Sequence, residues 1–189
     1  MIDGIAGTRR GILTGGAKTL SAAGLFALLG ASGGARAATA PSQDVALLNA
    51  ALGLEHEGIA AYQIGAESKL LQPGVLSLAV TFQGHHKQHR DDLIAAIKRL
   101  GGAPVAAKAL ADYAKELNAA SLKDQAGVLR LALKLERGAT NAYLGIIPSL
   151  GGSDLHTLAA RTACDEAFHA AILGQALSEA VPQKAPLFG

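Results

Sequence analysis

The chain has 189 residues, half of them hydrophobic, and a formal net charge of +2. This length and composition suit one domain with its own hydrophobic core and leave little room for a second. Cys164 is the only cysteine, so the sequence excludes an intrachain disulfide and a cysteine-based zinc or iron–sulfur site.

The N-terminal segment, residues 1–37, has the pattern of an export signal. It holds a basic stretch, an apolar run rich in Gly and Ala, and the small-residue pattern Ala35-Arg36-Ala37. Because the apolar run of about 14 residues is shorter than the roughly 20 that span a bilayer, we predict a cleavable signal peptide and no stable membrane span afterwards. We expect cleavage after Ala37.

The pair Arg9-Arg10, followed by Gly11-Ile12-Leu13, resembles the twin-arginine signal. This resemblance implies a protein that is exported in the folded state and is periplasmic or otherwise outside the cytoplasm. A Sec signal and an uncleaved membrane tether are the alternatives.

Loss of the signal peptide changes the charge of the chain. The signal carries Arg9, Arg10, Lys18 and Arg36 against Asp3, which leaves 13 of the 17 basic and 14 of the 15 acidic side chains. The remaining domain, residues 38–189, therefore has a formal net charge of −1. It contains no stripe of Lys and Arg with interleaved aromatic residues, so we predict no nucleic-acid partner.

Four long segments of this domain have helical composition, with many Ala and Leu residues and apolar positions three and four residues apart. The first runs from about Gln43 to Leu71, and the second from Pro73 to Leu100, before a glycine pair and a proline. The third runs from about Asp124 to Pro148 and the fourth from Ser153 to about Ala180. We predict Asp124 and Ser153 as the N-caps of the last two.

The connections between these segments are short, long and short. The long one, residues 105–124 (VAAKALADYAKELNAASLKD), has short helical character. Two helical hairpins joined by one long crossover is the layout of one type of four-helix bundle. We therefore predict an all-α fold with this topology.

An internal repeat supports two equivalent hairpins. Residues 48–62 (LNAALGLEHEGIAAY) align with residues 129–143 (LRLALKLERGATNAY), and the matched pairs include Glu55 with Glu136 and Tyr62 with Tyr143. At nearly the same offset, residues 83–93 (QGHHKQHRDDL) align with residues 163–173 (ACDEAFHAAIL). This second alignment places His89 over His169 and His86 over Glu166.

Six polar side chains lie on the apolar faces of the four helical segments. Counted from the two short turns, at a rise of about 1.5 Å per residue, all six reach the same level of the bundle within a few ångströms. The six residues are Glu55, His86, His89, Glu136, Glu166 and His169.

Three buried carboxylates at one level need protons or cations, because each loses hydration and repels the others. Carboxylates and imidazoles without thiolates suit iron or manganese. A Glu-x-x-His pair also places both donors on one helical face, one turn apart. The sequence therefore predicts a metal site inside the bundle.

These residues resemble the ligand pattern of the ferritin-like superfamily of di-iron carboxylate proteins, in which two helices each give one Glu and two give Glu-x-x-His. The resemblance covers nearly all of the mature chain and implies a ferritin-like four-helix bundle. It implies that Glu55 and Glu136 are the single-Glu ligands and that Glu166 and His169 form one complete pair. It also implies that His89 is the histidine of the second pair.

His86 stands where the family has Glu. With two divalent ions, four carboxylates balance the charge, whereas three carboxylates and three neutral imidazoles leave one positive charge in excess. An added hydroxide or oxo bridge, a single metal ion, or loss of the chemistry would each resolve this difference.

The resemblance implies iron as the cofactor, most simply as a di-iron site, with manganese as the alternative. We therefore expect an exported metal-binding protein, and its enzymatic form would be an oxidase of the ferroxidase type that uses O2 or peroxide. A catalase-like manganese enzyme is one alternative, and a non-catalytic periplasmic metal-binding or stress-related bundle is another. A homo-oligomer is compatible with each of them.

Three other polar residues lie beside these six in the sequence. We expect His85 to be a partly exposed helix residue, with contact to a ligand as the alternative. His56 and Glu57 are expected on the flank of the first helix, and Glu57 is the reserve ligand if the register is shifted.

Three further residues are expected to be structural. Tyr62 and Tyr143 are predicted to pack in the core with satisfied hydroxyl groups, or to donate hydrogen bonds to the ligand carboxylates. Cys164 is predicted to be a small core residue that points away from the site.

Overall fold

The computed structural model describes residues 41–188, and this range contains five α-helices and no β-strand. The helices are α1 (Pro41–Glu67), α2 (Pro73–Arg99), α3 (Leu110–Glu116), α4 (Gln125–Ile146) and α5 (Ser153–Ala176), with short 3₁₀ turns at Ala119–Ser121 and Ile147–Ser149. The predicted all-α fold is confirmed. The predicted export signal, residues 1–37, and its cleavage position lie outside the described residues.

The four long helices form a bundle of two hairpins. Helix α1 packs along α2, and α4 packs along α5, while α1 and α4 join the two hairpins. Helices α2 and α5 touch each other only sparsely. The crossover between the hairpins carries α3, which packs against α1. This is the predicted topology, with the predicted short helix in the crossover.

The ends of α2 follow from proline and glycine. Pro73 is the first residue of the helix, where its missing N–H costs no hydrogen bond. At the other end Gly101 has a φ of 76°, a left-handed conformation that favours glycine. The N–H of Gly101 donates to Lys98 O, and that of Gly102 donates to Ile97 O, both at 2.9 Å. These bonds satisfy the last carbonyl groups of the helix.

Two helices are shorter than predicted. Helix α1 ends at Glu67 and not at Leu71, and α5 ends at Ala176 and not near Ala180. After each end a non-glycine residue takes a left-handed conformation, Lys69 with φ 60° and Ser178 with φ 57°. Neither position has a glycine that would mark the end of a helix. The prediction from composition therefore placed both helix ends too late in the sequence.

The two predicted N-caps have different outcomes. The Asp124 carboxylate accepts a hydrogen bond from the Gly127 N–H at 2.7 Å, so Asp124 caps α4 as predicted. The prediction for Ser153 is wrong, because the extended residue Gly152 occupies the cap position and Ser153 is already helical. Helix α5 therefore begins without a side-chain cap.

The apolar core is split into two parts along the bundle. One part contains Leu52, Leu93 and Tyr143, and the other contains Phe82, Leu133 and Leu173. On every long helix the predicted polar residues lie between members of the two parts, so the polar cluster sits at mid-bundle. Between residues 41 and 188 no helix has the length and hydropathy that a bilayer span requires.

Candidate metal centre

All six side chains predicted for the site come together at one level of the bundle. Each is buried, and the largest exposed fraction among them is the 6% of His89. The six are Glu55 from α1, His86 and His89 from α2, Glu136 from α4, and Glu166 and His169 from α5. Their convergence depends on the two hairpin turns, which bring distant parts of the chain to the same height.

His86 lies at the middle of the cluster. Its Nδ1 is 2.8 Å from Glu55 Oε2 and 3.5 Å from Glu166 Oε1. Its Nε2 is 3.3 Å from Glu136 Oε1. The two ring nitrogens therefore face carboxylates from different helices, and the imidazole stands between all three.

Glu166 also faces two sides. Its Oε1 is 3.0 Å from His89 Nδ1, and its Oε2 is 3.1 Å from His169 Nδ1. His89 Nδ1 is further 3.6 Å from Glu55 Oε2, and His169 Nδ1 is 3.5 Å from Glu136 Oε2. One carboxylate thus presents a separate oxygen to each of two histidines.

These contacts divide the donors into two groups that can each hold a metal ion. One group is Glu55, His86, His89 and Glu166, the other is His86, Glu136, Glu166 and His169, and the donor atoms within each group lie within 4.8 Å of one another. His86 and Glu166 belong to both groups. Each group offers two imidazoles and two carboxylates, a donor set that suits iron or manganese.

One oxygen of the cluster lacks a hydrogen-bond donor. Glu136 is 1% exposed, yet its Oε2 accepts no hydrogen bond from any described residue. A buried carboxylate oxygen without a partner is costly unless a cation faces it. The residues present therefore fit a metal ion on the side of Glu136 and His169.

Two tyrosines hold the outer carboxylates in a crossed arrangement. Tyr143 of α4 donates to Glu55 Oε1 of α1, while Tyr62 of α1 donates to Glu136 Oε1 of α4. Burial, followed by the charge of the adjacent glutamate, raises the pKa of both phenols. Both phenols therefore remain protonated and donate hydrogen bonds to the carboxylates of the cluster, which is the second of their two predicted roles.

The outward nitrogens of two histidines meet a second layer of polar residues. His89 Nε2 is 3.1 Å from Asp165 Oδ2, and His169 Nε2 is 2.9 Å from His85 Nδ1. Such contacts fix the ring orientation and tautomer of a metal-binding histidine. His85 is exposed as expected, and it also makes the ligand contact that was its alternative.

Asp165 is not among the residues predicted for the site. The signal was nevertheless present, because the 80-residue offset that pairs His86 with Glu166 also pairs His85 with Asp165. Each of these two residues contacts the histidine of the opposite helix. The repeat therefore extends to the residues that orient the ligands.

Burial and ion pairing act in opposite directions on the pKa values of the cluster. Burial alone would raise the pKa of Glu55, but hydrogen bonds from His86 and His89 outweigh it and bring the pKa to about 2. Burial alone would lower the pKa of His89, but hydrogen bonds to Glu166 and Glu55 raise it to about 10. For Glu166 burial prevails and raises the pKa.

The other two imidazoles behave as His89 does. Burial opposes their charge, but the surrounding carboxylates raise the pKa of His86 well above its usual value and also raise that of His169. Three imidazolium groups can therefore balance the carboxylates. The six side chains thus form a buried network of His–Glu contacts whose charges protons on the imidazoles would balance.

Three other predicted residues lie away from the cluster. His56 Nε2 is 3.1 Å from Val105 O in the crossover, and Glu57 belongs to neither group of donors. Cys164 is exposed, so its prediction as a core residue is wrong. Cys164 lies two residues before the buried Glu166, so its side chain faces outward. The prediction that it points away from the site is confirmed.

The comparisons with known proteins agree with this architecture. A family model described as a ferritin-like domain matches residues 43–179. The chain is also similar to the crystal structure of a conserved hypothetical protein, rv2844, from Mycobacterium tuberculosis. That similarity has 27% sequence identity and a TM-score of 0.64, and it covers 72% of this chain and 98% of the other. No curated protein matches the chain.

Proposed function

The chain belongs to the ferritin-like domain family, and on this premise we propose that its buried cluster binds iron as a di-iron centre, with manganese as the alternative ion. In this proposal the protein is an oxidase of the ferroxidase type that uses O2 or peroxide. The bound ions would supply the electrons for that chemistry.

The observation that carries the proposal is the pair of donor groups that share His86 and Glu166. Each group combines two imidazoles with two carboxylates, and the oxygen Glu136 Oε2 has no donor of its own. A metal ion beside it would remove the cost of burying that oxygen without a partner.

The residues of the chain have distinct parts in this proposal. Glu55 and His89 would hold one ion and Glu136 and His169 the other, while His86 and Glu166 belong to both groups of donors. Tyr62 and Tyr143 keep two of the carboxylates in place, because Tyr62 donates to Glu136 Oε1 and Tyr143 donates to Glu55 Oε1. Burial of the six side chains limits access of water.

We further propose that the protein is exported through the twin-arginine route and works in the periplasm. The support is the pair Arg9-Arg10, the short apolar run and the pattern that ends at Ala37. N-terminal sequencing of the exported protein should find a new terminus at Ala38, and replacement of both arginines by lysine should keep the protein in the cytoplasm with its first residues intact.

The charge balance of the cluster favours a second candidate, a non-catalytic metal-binding or stress-related bundle. Three carboxylates and three imidazoles are neutral when each imidazole carries a proton, and the pKa of each imidazole is raised. Such a cluster would balance its charges without metal, as expected of a protein that takes up ions only when they are abundant.

Loading under anaerobic conditions separates these candidates. The purified protein is incubated with Fe(II), passed over a desalting column, analysed for bound iron and then exposed to O2. Two irons per chain and an oxo-bridge absorption band after exposure are expected for the enzyme, and bound iron without the band is expected for the non-catalytic bundle.

Glu136→Gln provides the control for this experiment. The amide keeps the shape of the side chain but loses the charge beside His169, so bound iron should fall. If wild-type protein retains no iron and the variant behaves identically, the metal proposal is wrong.

A further inference from the structure

A cleft of about 530 Å³ leads to the cluster from the side of α1 and α4. Its walls come from these two helices and from the residues at the end of α3, and both His86 and Glu136 line it. Pockets that bind small organic molecules have volumes of roughly 300–1,000 Å³. The cleft is thus large enough for such a molecule and reaches the buried donors.

The walls of this cleft are mostly apolar. Leu54, Ala61, Leu131, Leu135 and Ala139 contribute carbon surface on both sides. Buried apolar walls favour a ligand whose body is itself apolar.

A second cleft, of about 490 Å³, lies on the opposite side of the cluster between α2 and α5. Its lining is polar and includes Asp92, Arg161 and Asp165. A charged lining of this kind retains water and ions. Of these two clefts in the described residues, the one between α1 and α4 therefore suits an organic ligand better.

Gly58 brings this cleft close to His86. A Cβ atom at Gly58 would lie 3.0 Å from His86 Nδ1, a separation that leaves no room for a larger side chain unless the imidazole shifts. Gly58, Tyr62 and His86 all line the cleft, and the ring centroids of Tyr62 and His86 are 5.4 Å apart. Because His86 itself forms part of the lining, a ligand in the cleft can approach the cluster.

The same wall carries the carboxylate of Glu57, which Lys108 and Lys134 reach only at longer range than an ion pair. Glu57 is half-buried in the cleft, and no described residue forms an ion pair or a hydrogen bond with it. Nearby, Glu116 is already paired with Lys108 at 2.8 Å, and Lys134 is exposed. A cationic group on a ligand would stabilise this carboxylate.

We propose that this cleft binds a small organic molecule with an apolar body and one amino group, whose ammonium pairs with the Glu57 carboxylate. The role of this molecule as a substrate rests on the proposed oxidase function, since it would be held beside the metal centre. The binding of this molecule does not rest on the oxidase function, because Glu57 and the apolar walls are present whether or not ions are bound.

Three six-carbon probes that differ only in their polar end test the proposal. Hexylamine, hexanol and hexanoate are titrated separately into the metal-free protein at neutral pH by calorimetry. We expect hexylamine to bind most tightly, hexanol more weakly and hexanoate not at all. The apolar walls serve all three chains, whereas only the ammonium gains a charged partner.

Glu57→Gln removes the charge with little change in shape. Affinity for hexylamine should fall about tenfold, the size of one charge-assisted hydrogen bond, while affinity for hexanol should not change. Asp92→Asn is the matched control, since it removes a carboxylate from the opposite cleft, and it should leave hexylamine binding as in the wild type. Equal hexylamine affinity in wild type and Glu57→Gln would overturn the proposal.

A second pair of variants tests the position of the apolar body. Leu135→Trp adds bulk to the cleft, and Leu158→Trp makes the same change at a half-buried leucine of the opposite cleft. Binding of hexylamine and hexanol should be lost in the first variant and retained in the second. Loss of binding only in Leu158→Trp would place the ligand in the cleft between α2 and α5 and would contradict the proposal.

Cobalt loading separates this proposal from the proposed metal function. If Co(II) binds the protein and hexylamine does not, the ligand cleft is refuted and the metal centre stands. If hexylamine binds with the expected dependence on Glu57 and Co(II) does not bind, the metal centre is refuted and the cleft stands. Where both bind, hexylamine should shift the visible spectrum of the bound Co(II).

Discussion

His86 is the residue that sets this cluster apart from the family pattern. Its two nitrogens face Glu55 and Glu136, 2.8 and 3.3 Å away. A carboxylate at this position could give one oxygen to each ion, whereas a neutral imidazole has only one free lone pair because its other nitrogen carries a proton. The histidine therefore favours balance by protons over tight binding of the second ion.

We predict that His86→Glu reverses this preference. In the metal-free protein the variant brings four carboxylates together with only two imidazoles, so the free energy of unfolding should fall by about 3–5 kcal/mol, as for other broken buried ion pairs. With Co(II) in excess, two ions should bind per chain, and the second should bind more tightly than in the wild type.

Thermal unfolding with and without Co(II), together with metal analysis, checks this prediction. The gap between the two unfolding temperatures should be wider in His86→Glu than in the wild type, because ions stabilise the form that binds them. An unchanged gap would show that His86 does not determine metal occupancy.

The tyrosine contacts make a second prediction at the same scale. Tyr143→Phe removes the donor to Glu55 Oε1 and leaves a buried carboxylate oxygen unsatisfied, so the metal-free protein should lose about 1–3 kcal/mol of unfolding free energy. Urea denaturation measures the loss. Tyr113→Phe is the control, since Tyr113 is also buried but its hydroxyl only accepts a 3.3 Å hydrogen bond from Lys108 N, and its cost should be smaller.

At the scale of the helices, the two halves of the chain repeat one design. Each hairpin gives one Glu from its first helix, and a pair of donors three residues apart from its second helix. The repeat also places Tyr62 and Tyr143 at equivalent positions, which is why each tyrosine reaches the glutamate of the other hairpin. Residue counting could find the level of the cluster, because the rise of a helix per residue is constant.

Helix ends were less predictable than helix interiors. Lys69 and Ser178 take left-handed conformations that glycine usually provides, and the sequence offers no sign of them. By contrast, Pro73 and Gly101 mark the ends of α2 in the sequence as well as in the fold. A boundary was predictable where a residue with special backbone geometry fixed it.

The two predicted caps provide a test at the element scale. Asp124→Ala removes the acceptor for the Gly127 N–H and should cost about 1 kcal/mol of unfolding free energy. Ser153→Ala removes a hydroxyl that makes no capping hydrogen bond and should change stability by less than about 0.5 kcal/mol. Urea denaturation of both variants compares them, and equal costs would contradict the assignment of Gly152 as the cap.

For the whole molecule, the buried cluster makes stability depend on pH. The pKa of Glu55 falls from 4.5 to about 2 on folding, so its contribution is present above pH 4.5 and is lost as the pH falls toward 2. The pKa of His89 rises from 6.5 to about 10, so its contribution is present below pH 6.5 and is lost as the pH rises toward 10. The metal-free protein should be most stable between about pH 4.5 and 6.5.

Urea midpoints measured from pH 3 to pH 10 check this window. The same series with Co(II) should lose the decline at high pH, because a bound ion takes the place of the histidine protons and binds better as they leave. A metal-free protein whose stability rises from pH 6.5 to pH 9 would contradict the ion-pair network.

The sequence by itself determined the four helices, the single crossover and the identity of the six polar residues at mid-bundle. These follow from local periodicity, from a repeat and from a constant helical rise, all of which can be read along the chain. Cys164 was wrongly predicted to be buried, and Asp165 was not predicted to contact His89. Both errors arose because composition does not tell which side of a packed helix remains exposed to solvent.

Only the tertiary structure decided how the donors divide. That His86 faces two carboxylates, that Glu136 Oε2 lacks a donor, and that Glu57 lines an apolar cleft all depend on distances between different helices. Such distances are set by the packing of side chains across the bundle, where a shift of one ångström makes or breaks a contact. The sequence contains the donors, and the packing determines which of them meet.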